Sequence, residues 1–325
     1  MPTPMLPLLL LAIPTQPNDT AIFRYDVAER SVALELLNPV AVGERIAEIA
    51  MHPDGDRLSF YLPGDGTDPK VYLWGLGEAG REAGPQLVTD GKEMSFAPAG
   101  DVLLLANPNP NQSPAKAGIT AWSLDRGKGV RLMDGGRPLA LPDGWVCATF
   151  TALGRRPALF NPVTGRTADI NGLWPDRRHY GWASRSRGRL LVVSEPAPPP
   201  DPIDDAHRAA RRLELVAVAD DGTLTAEVAL PCPDGVNFLW ISTGCDAADD
   251  LFFVVVRLDG PIHEVWHVDA DRTARPILRG WEGVEFRSLA ASPDGSQLYF
   301  TSNLLDILPD DGTVRTEADL VVTER

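Results

Sequence analysis

His263-Glu264-Val265-Trp266-His267 has the H-E-x-x-H spacing of a zinc protease. That spacing chelates one ion only on a helix, where positions four apart share a face. The surrounding IHEVWHVDADRTARPIL alternates as a strand does and then turns. In a strand the two imidazoles stand about 13 Å apart, too far to hold one metal. Gly75-Leu76-Gly77-Glu78-Ala79-Gly80 spells G-x-G-x-x-G directly after an apolar strand, Val71 to Trp74. A dinucleotide loop needs a helix opening at its last glycine, and Gly84-Pro85 stops any helix after about one turn. Gly64-Asp65-Gly66-Thr67-Asp68 is acidic and glycine-rich but lacks the further carboxylates of a calcium loop, and reads as an exposed turn. His52 falls in a turn and His207 in a Pro-rich stretch, so no nucleophile–His–acid set can be assembled. No catalytic residue, metal or cofactor is expected from these motifs.

One segment concentrates recognition chemistry. NGLWPDRRHYGW (Asn171 to Trp182) places Trp174, Arg177, Arg178, His179 and Tyr180 together. Aromatic faces and guanidinium forks supply stacking and paired hydrogen bonds to anions. The competing reading packs Trp174 and Tyr180 between structural elements and leaves the arginines solvated.

The elements that position these residues form a repeat. IAEIAMHPDGDRLSFYL (Ile46 to Leu62) recurs as FRSLAASPDGSQLYFTS (Phe286 to Ser302), each an apolar strand, a Pro-Asp-Gly turn and a second alternating strand. Pro sets φ, Asp caps the turn and Gly takes the positive φ. Weaker copies run Lys92 to Ala106, Arg137 to Phe150, Tyr180 to Ser194 and Asn237 to Val256. Turn centres at Asp54, Ala99, Asp143, Arg187, about Ala247 and Asp294 are separated by 45, 44, 44, 60 and 47 residues. The long interval holds EPAPPPDPIDDAHRAA (Glu195 to Ala210), a Pro-rich acidic insert without strand pattern, expected to be a dispensable excursion. Third strands (KVYLWGL, GITAWSLD, RRLELVAVADDG, IHEVWHVDAD) and fourth strands (QLVTDG, VRLMDGG, TLTAEVALP, ARPILRG) follow each hairpin.

A mid-forties period with four strands per unit predicts an all-β chain, one β-propeller over residues 1–325 with four-stranded antiparallel blades. At the N-terminus, LPLLLLAIP, TAIFRYDVAER and SVALELLN read as second, third and fourth strands of a further unit. If ADLVVTER (Ala318 to Arg325) supplies its innermost strand, the ring closes with seven blades, the favoured count, and no free sheet edge. Six blades, with the N-terminal hairpin completing Phe286 to Ser302, is the alternative. AASPDGSQLYFTSN, with ADLVVTER downstream, resembles the WD-like repeat of TolB-type propellers, also found in prolyl-oligopeptidase-type enzymes. The resemblance is strongest at the Asp54 and Asp294 units and implies a fold over most of the chain, with little about function. No G-x-S-x-G occurs, so the peptidase half of that likeness is missing.

In such a ring the loops entering each innermost strand surround one channel mouth. Those entries hold Glu48, Glu93, Arg137, His179 with Tyr180, Asn237 and Arg287, which with Trp174, Arg177 and Arg178 are the candidate ligand-binding residues. Lys+Arg 30 against Asp+Glu 45 gives a formal charge of −15, which disfavours nucleic acid, since polyanion binding needs a cationic surface. Three cysteines, Cys147, Cys232 and Cys245, fit neither a disulfide framework nor a metal ribbon and suit a reducing, cytoplasmic compartment. Leu6 to Ile13 reads as a strand, with export as the alternative should it act as a signal, and no apolar run approaches a membrane span of about 20 residues. The expected function is a binding or scaffolding propeller for a protein or peptide partner, or an anionic small molecule. The alternative is a lactonase- or lyase-like enzyme with its site at the channel mouth.

Overall fold

The computed structural model describes residues 21–37, 45–64, 68–107, 118–150, 156–186, 188–198, 202–241, 250–280 and 284–303. The chain enters with β1 (Ala21–Asp26) and β2 (Ser31–Leu37). Blade I follows as β3 (Glu48–Met51), β4 (Arg57–Leu62), β5 (Lys70–Gly75), a short α1 (Glu78–Ala83) and β6 (Gln86–Asp90). Blade II is β7 (Lys92–Phe96), β8 (Val102–Asn107), β9 (Gly118–Ser123) and β10 (Lys128–Asp134). Blade III is β11 (Gly136–Ala140), β12 (Val146–Phe150), β13 (Arg156–Phe160) and β14 (Thr167–Ala168). Blade IV is β15 (Arg177–Ser186), β16 (Arg189–Pro196), α2 (Asp205–Ala209), β17 (Arg212–Val218) and β18 (Leu224–Pro231). Blade V is β19 (Val236–Ile241), β20 (Leu251–Arg257), β21 (His263–Val268) and β22 (Ala274–Arg279), and β23 (Phe286–Ala291) and β24 (Gln297–Ser302) begin blade VI.

Each blade is a four-stranded antiparallel sheet, and the ring has six blades rather than the favoured seven. The N-terminal hairpin supplies the outer half of blade VI, in the order β2-β1-β24-β23. β1 pairs with β24 without a break from Ala21 opposite Ser302 to Asp26 opposite Gln297. It therefore has no need of an inner strand of its own. The innermost strands pack in a closed circuit, β3 on β7, β7 on β11, β11 on β15, β15 on β19, β19 on β23 and β23 on β3. Hydrogen bonds from Ile49 N–H to Ser288 Oγ (3.0 Å) and from Ala140 N–H to Ser95 Oγ (3.2 Å) join neighbouring inner strands. The runs Leu6 to Ile13 and Ala318 to Arg325 lie outside the described residues.

Stability resides between blades. Phe252, Val254 and Leu278 of blade V pack with Phe23, Leu298 and Phe300 of blade VI. Ile22, Ala290 and Tyr299 of blade VI join Ile49, Leu58 and Phe60 of blade I, and Met94, Phe96 and Leu103 of blade II. Similar clusters tie II to III, III to IV and IV to V. Second strands are covered on both faces, as in the all-buried centre of β16, whereas the outermost β10 is exposed over its first half. The turns form for the reasons legible in sequence. At 292–297, Asp294 Oδ1 accepts from the Ser292 hydroxyl (2.6 Å) and Ser296 N–H (3.1 Å), while Gly295 takes φ 73°.

The G-x-G-x-x-G stretch has a packing explanation. α1 is six residues long and stops at Gly84, φ 70°. It folds back on β5 so tightly that a Cβ on Gly80 would lie 2.5 Å from Gly75 Cα, whereas one on Gly77 meets nothing within 4 Å. Gly80→Ala is therefore expected to destabilise by about 1–3 kcal/mol through overpacking, and Gly77→Ala to be near neutral, as read by urea unfolding.

Candidate mouth of the channel

Entry into the inner strands is irregular, and the irregularity aims side chains. Register shifts fall between Lys92 and Met94 in β7 and between Gly136 and Leu139 in β11. Within them Glu93 (φ 49°) and Arg137 (φ 51°) adopt left-handed backbone, uncommon for residues with a Cβ. Such strain persists where surrounding structure over-determines it, and it concentrates at functional sites. The result is a contact across two blades: Arg137 N–H donates to Glu93 Oε2 (2.8 Å), and its Nε lies 3.6 Å from Oε1. Lys92 Nζ is 3.7 Å from the same carboxylate.

Glu48, at the start of β3, joins this pair electrostatically. Burial, then the charge of Glu93, pushes its carboxyl up to about 7 against the opposing pull of Arg137 and Lys92. Opposite it in register stands Tyr61 of β4, whose hydroxyl burial holds firmly neutral, with Glu48 and Glu93 adding to the effect. Burial lowers the Arg137 guanidinium, while Glu93 and Glu48 raise it. Blades I, II and III thus bring Glu48, Glu93 and Arg137 into one cluster. Tyr61 and Lys92 belong to it and were absent from the sequence-derived set. Tyr61 could have been found as the cross-strand partner of Glu48.

The Asn171–Trp182 segment is arranged differently from a loop. Ile170–Leu173 form a 3-10 turn, and Arg177 to Trp182 already belong to β15, three residues earlier than the repeat indicates. Trp174 Nε1 donates to Glu214 Oε2 (2.8 Å), and Arg177 donates to Ser194 Oγ (2.9 Å) and to the carbonyls of Ser194 (3.1 Å) and Ala210 (2.9 Å). Both face a blade-interior network around buried Glu214, which also accepts the Ser194 hydroxyl proton. His179 is neutral: burial pushes it down to about 4, against the charge of Glu195, and its buried Nε2 has no hydrogen-bond partner among the described residues. Tyr180 pairs opposite Val193 in the β15–β16 ladder.

Arg178 and Asn237 meet a third cluster. Arg178 donates from Nε (2.9 Å) and Nη2 (2.6 Å) to Glu195 Oε1, while Arg211 donates from Nε (3.2 Å) and Nη2 (3.0 Å) to Oε2. Arg211 also donates from Nη1 to Asn237 Oδ1, and His207 Nε2 stands 3.4 Å from Glu195. Glu195, His207 and Arg211 are all buried, and α2 packs on β16 and β19. The insert, expected as an excursion, is tied to the ring at both ends. Arg287 is held by Glu285, with Nε at 2.8 Å and Nη2 at 2.6 Å.

The remaining motifs resolve as structure. His263 and His267 lie in β21; His263 Nδ1 accepts from Phe286 N–H (3.2 Å), and His267 Nε2 meets Asp250 Oδ1 at 2.6 Å with its ring stacked on Phe252. Among the described residues, His52, Asp54 and Asp56 are one group with metal-ligating types in reach. There His52 Nδ1 accepts from Asp54 N–H (3.2 Å) and Nε2 contacts Gly100 carbonyl oxygen (3.0 Å), joining the turns of blades I and II. Cys147 and Cys232 are buried unpaired thiols, raised by burial to about 12 and about 11. The segment 65–67 and Cys245 lie outside the described residues. Among the described residues no helix is long and apolar enough to cross a membrane.

Fold and mouth together define a six-bladed β-propeller closed by an N-terminal hairpin. No protein-family model matches the chain, and no curated protein matches it. Its structural neighbours include TolB propellers. The putative TolB from Agrobacterium tumefaciens is similar at TM-score 0.62 and 16% identity, over 87% of this chain and 97% of that one. TolB from Acinetobacter baumannii gives TM-score 0.47 and 13% identity, over 88% of this chain and 64% of that one. Oligogalacturonate lyase from Vibrio parahaemolyticus gives TM-score 0.46 and 14% identity, over 86% and 77%. At these identities the likeness is one of fold.

Proposed function

We propose that this chain is a binding propeller that recognises a peptide segment of a partner protein at the channel mouth, chiefly through the corner formed by blades I to III. The observation that supports this most is the strained, bulged presentation of Glu93 and Arg137 beside the Glu48 carboxyl. The described surface offers a partner little apolar area elsewhere: its exposed large apolar side chains, Leu87, Val130, Val163, Val228 and Leu258, stand singly, one on each of five blades. A polar mouth is the better-built contact. Peptides selected by display on the full chain are expected to lose at least about tenfold in affinity on Glu93→Ala/Arg137→Ala, the loss of about 1.4 kcal/mol or more. Val130→Asp on the outer strand of blade II should leave that affinity unchanged. Selected peptides that bind the double variant as well as wild type would place recognition elsewhere on the ring.

One observation favours a second reading. A carboxyl that burial and the charge of Glu93 push up to about 7 suits general acid–base work on a small molecule. Under that reading Glu48→Gln abolishes turnover while substrate still binds.

A further inference from the structure

Neither the Glu48 carboxyl nor the Tyr61 hydroxyl has a hydrogen-bond partner among the described residues. The two sit opposite one another across β3 and β4. Residues so placed project on one side of the sheet. Two proton donors are thus presented together and left for something else to bond. The charges around them are unequal. Lys92 and Arg137 bring two positive charges against the single negative charge of Glu93, and each cation is more than a third exposed. While Glu48 is protonated the corner is net positive, in a chain whose formal charge is −15.

We propose that this corner binds a carboxylate group of its ligand together with one proton, which the ligand carboxylate and Glu48 share. The inference rests on the reading of the mouth as the binding site and names the chemistry it takes. Two carboxyls in contact do not both ionise, and a shared proton makes a short charge-assisted hydrogen bond. Tyr61 donates a second hydrogen bond, and Lys92 and Arg137 offset the charge that remains. The proton comes from Glu48 itself below pH about 7, and from solvent above it. A cationic ligand group would instead meet Lys92 and Arg137. Of the other elements packed on β3, β23 offers Arg287, which Glu285 already holds, and β24 offers Tyr299, which answers to Glu35, Arg24 and Arg81.

The sign of the pH dependence follows. A site that binds ligand and proton together is at full strength where Glu48 is already protonated, and weakens as pH rises above about 7. The test is NMR of the full, isotope-labelled chain with sodium acetate and succinate as probes, and methylammonium chloride as the opposite charge. Both carboxylates should shift the Glu93 and Arg137 amides. Their apparent Kd should stay constant near pH 6 and rise toward about tenfold per pH unit above pH 7. Glu48→Gln keeps a neutral donor and should bind them with that pH dependence removed. Methylammonium should leave the amides unmoved. Carboxylate binding indifferent to pH in wild type, or a preference for methylammonium, would reject the shared proton while leaving the mouth a binding site. If no probe moves these amides and the footprint of a selected peptide lies elsewhere, the reading of the mouth itself fails.

Discussion

Glu195→Ala is expected to lower the unfolding free energy by about 3–5 kcal/mol, the size seen when one member of a buried ion pair is removed and its partner left uncompensated. Glu195 is 0% exposed and Arg211 is 2% exposed, so water cannot replace the lost carboxylate. The guanidinium of Arg211 would lose both of its bonds to Oε2, and Arg178 would lose both of its bonds to Oε1. Glu195→Gln preserves one acceptor and should fall between the two. Burial alone would raise the Glu195 carboxyl, but the hydrogen bonds and charges of Arg178 and Arg211 outweigh it and hold it below the usual carboxylate range. A depressed carboxyl contributes stability above its unfolded pKa and loses it as pH falls through the folded one. Wild type should therefore lose this contribution on acidification below the ordinary glutamate range, and Glu195→Ala should show less of that loss. Urea unfolding at neutral and acidic pH reads both effects. A loss under about 1 kcal/mol would mean that the insert is not held through this residue.

The repeat was legible because its turns carry their own cause. Asp294 and Gly295 close the hairpin with bonds confined to six residues, so Pro-Asp-Gly signals the turn wherever it occurs. The assignment of third and fourth strands, and of His263–His267 to a strand, followed from the same local alternation. Blade number was harder because it depends on which distant strand β1 joins. Its partner β24 lies far along the chain, and nothing local in TAIFRYDVAER distinguishes an edge completing Gln297–Ser302 from part of a new blade. The mouth shows the same division. Glu48, Glu93 and Arg137 occupy equivalent places before successive turns, and their proximity could be read from the period alone. Arg178 and Trp174 looked like mouth donors because residue type is visible in a sequence, whereas the buried acceptors that hold them are not. Glu214 and Glu195 come from other strands, and no periodic pattern marks a buried carboxylate.

A chain lacking residues 1–37 is expected to fail to fold, although it retains every innermost strand of the ring. The hairpin places Ile22 at 0%, Phe23 at 8%, Tyr25 at 2% and Val32 at 7% exposure, inside the interfaces that blade VI makes with blades V and I. Burying a large apolar side chain is worth roughly 1.5–3 kcal/mol, so four of them supply on the order of 6–12 kcal/mol. A whole domain has a net stability of about 5–15 kcal/mol, so this loss alone reaches the margin. Removal of β1 also strips the hydrogen bonds along β24 and leaves that strand an open edge, with Phe300 uncovered on the side where Phe23 stacks at 5.5 Å. An unpaired apolar edge is a template for association. The truncated chain should therefore elute as aggregate in size-exclusion chromatography and lack the near-ultraviolet dichroism of packed aromatics. Truncation at residue 20 keeps the hairpin and isolates its role. A monomer with cooperative unfolding from residue 38 onward would show that five blades and a half-blade suffice, and that closure by β1 and β2 is not what holds the ring.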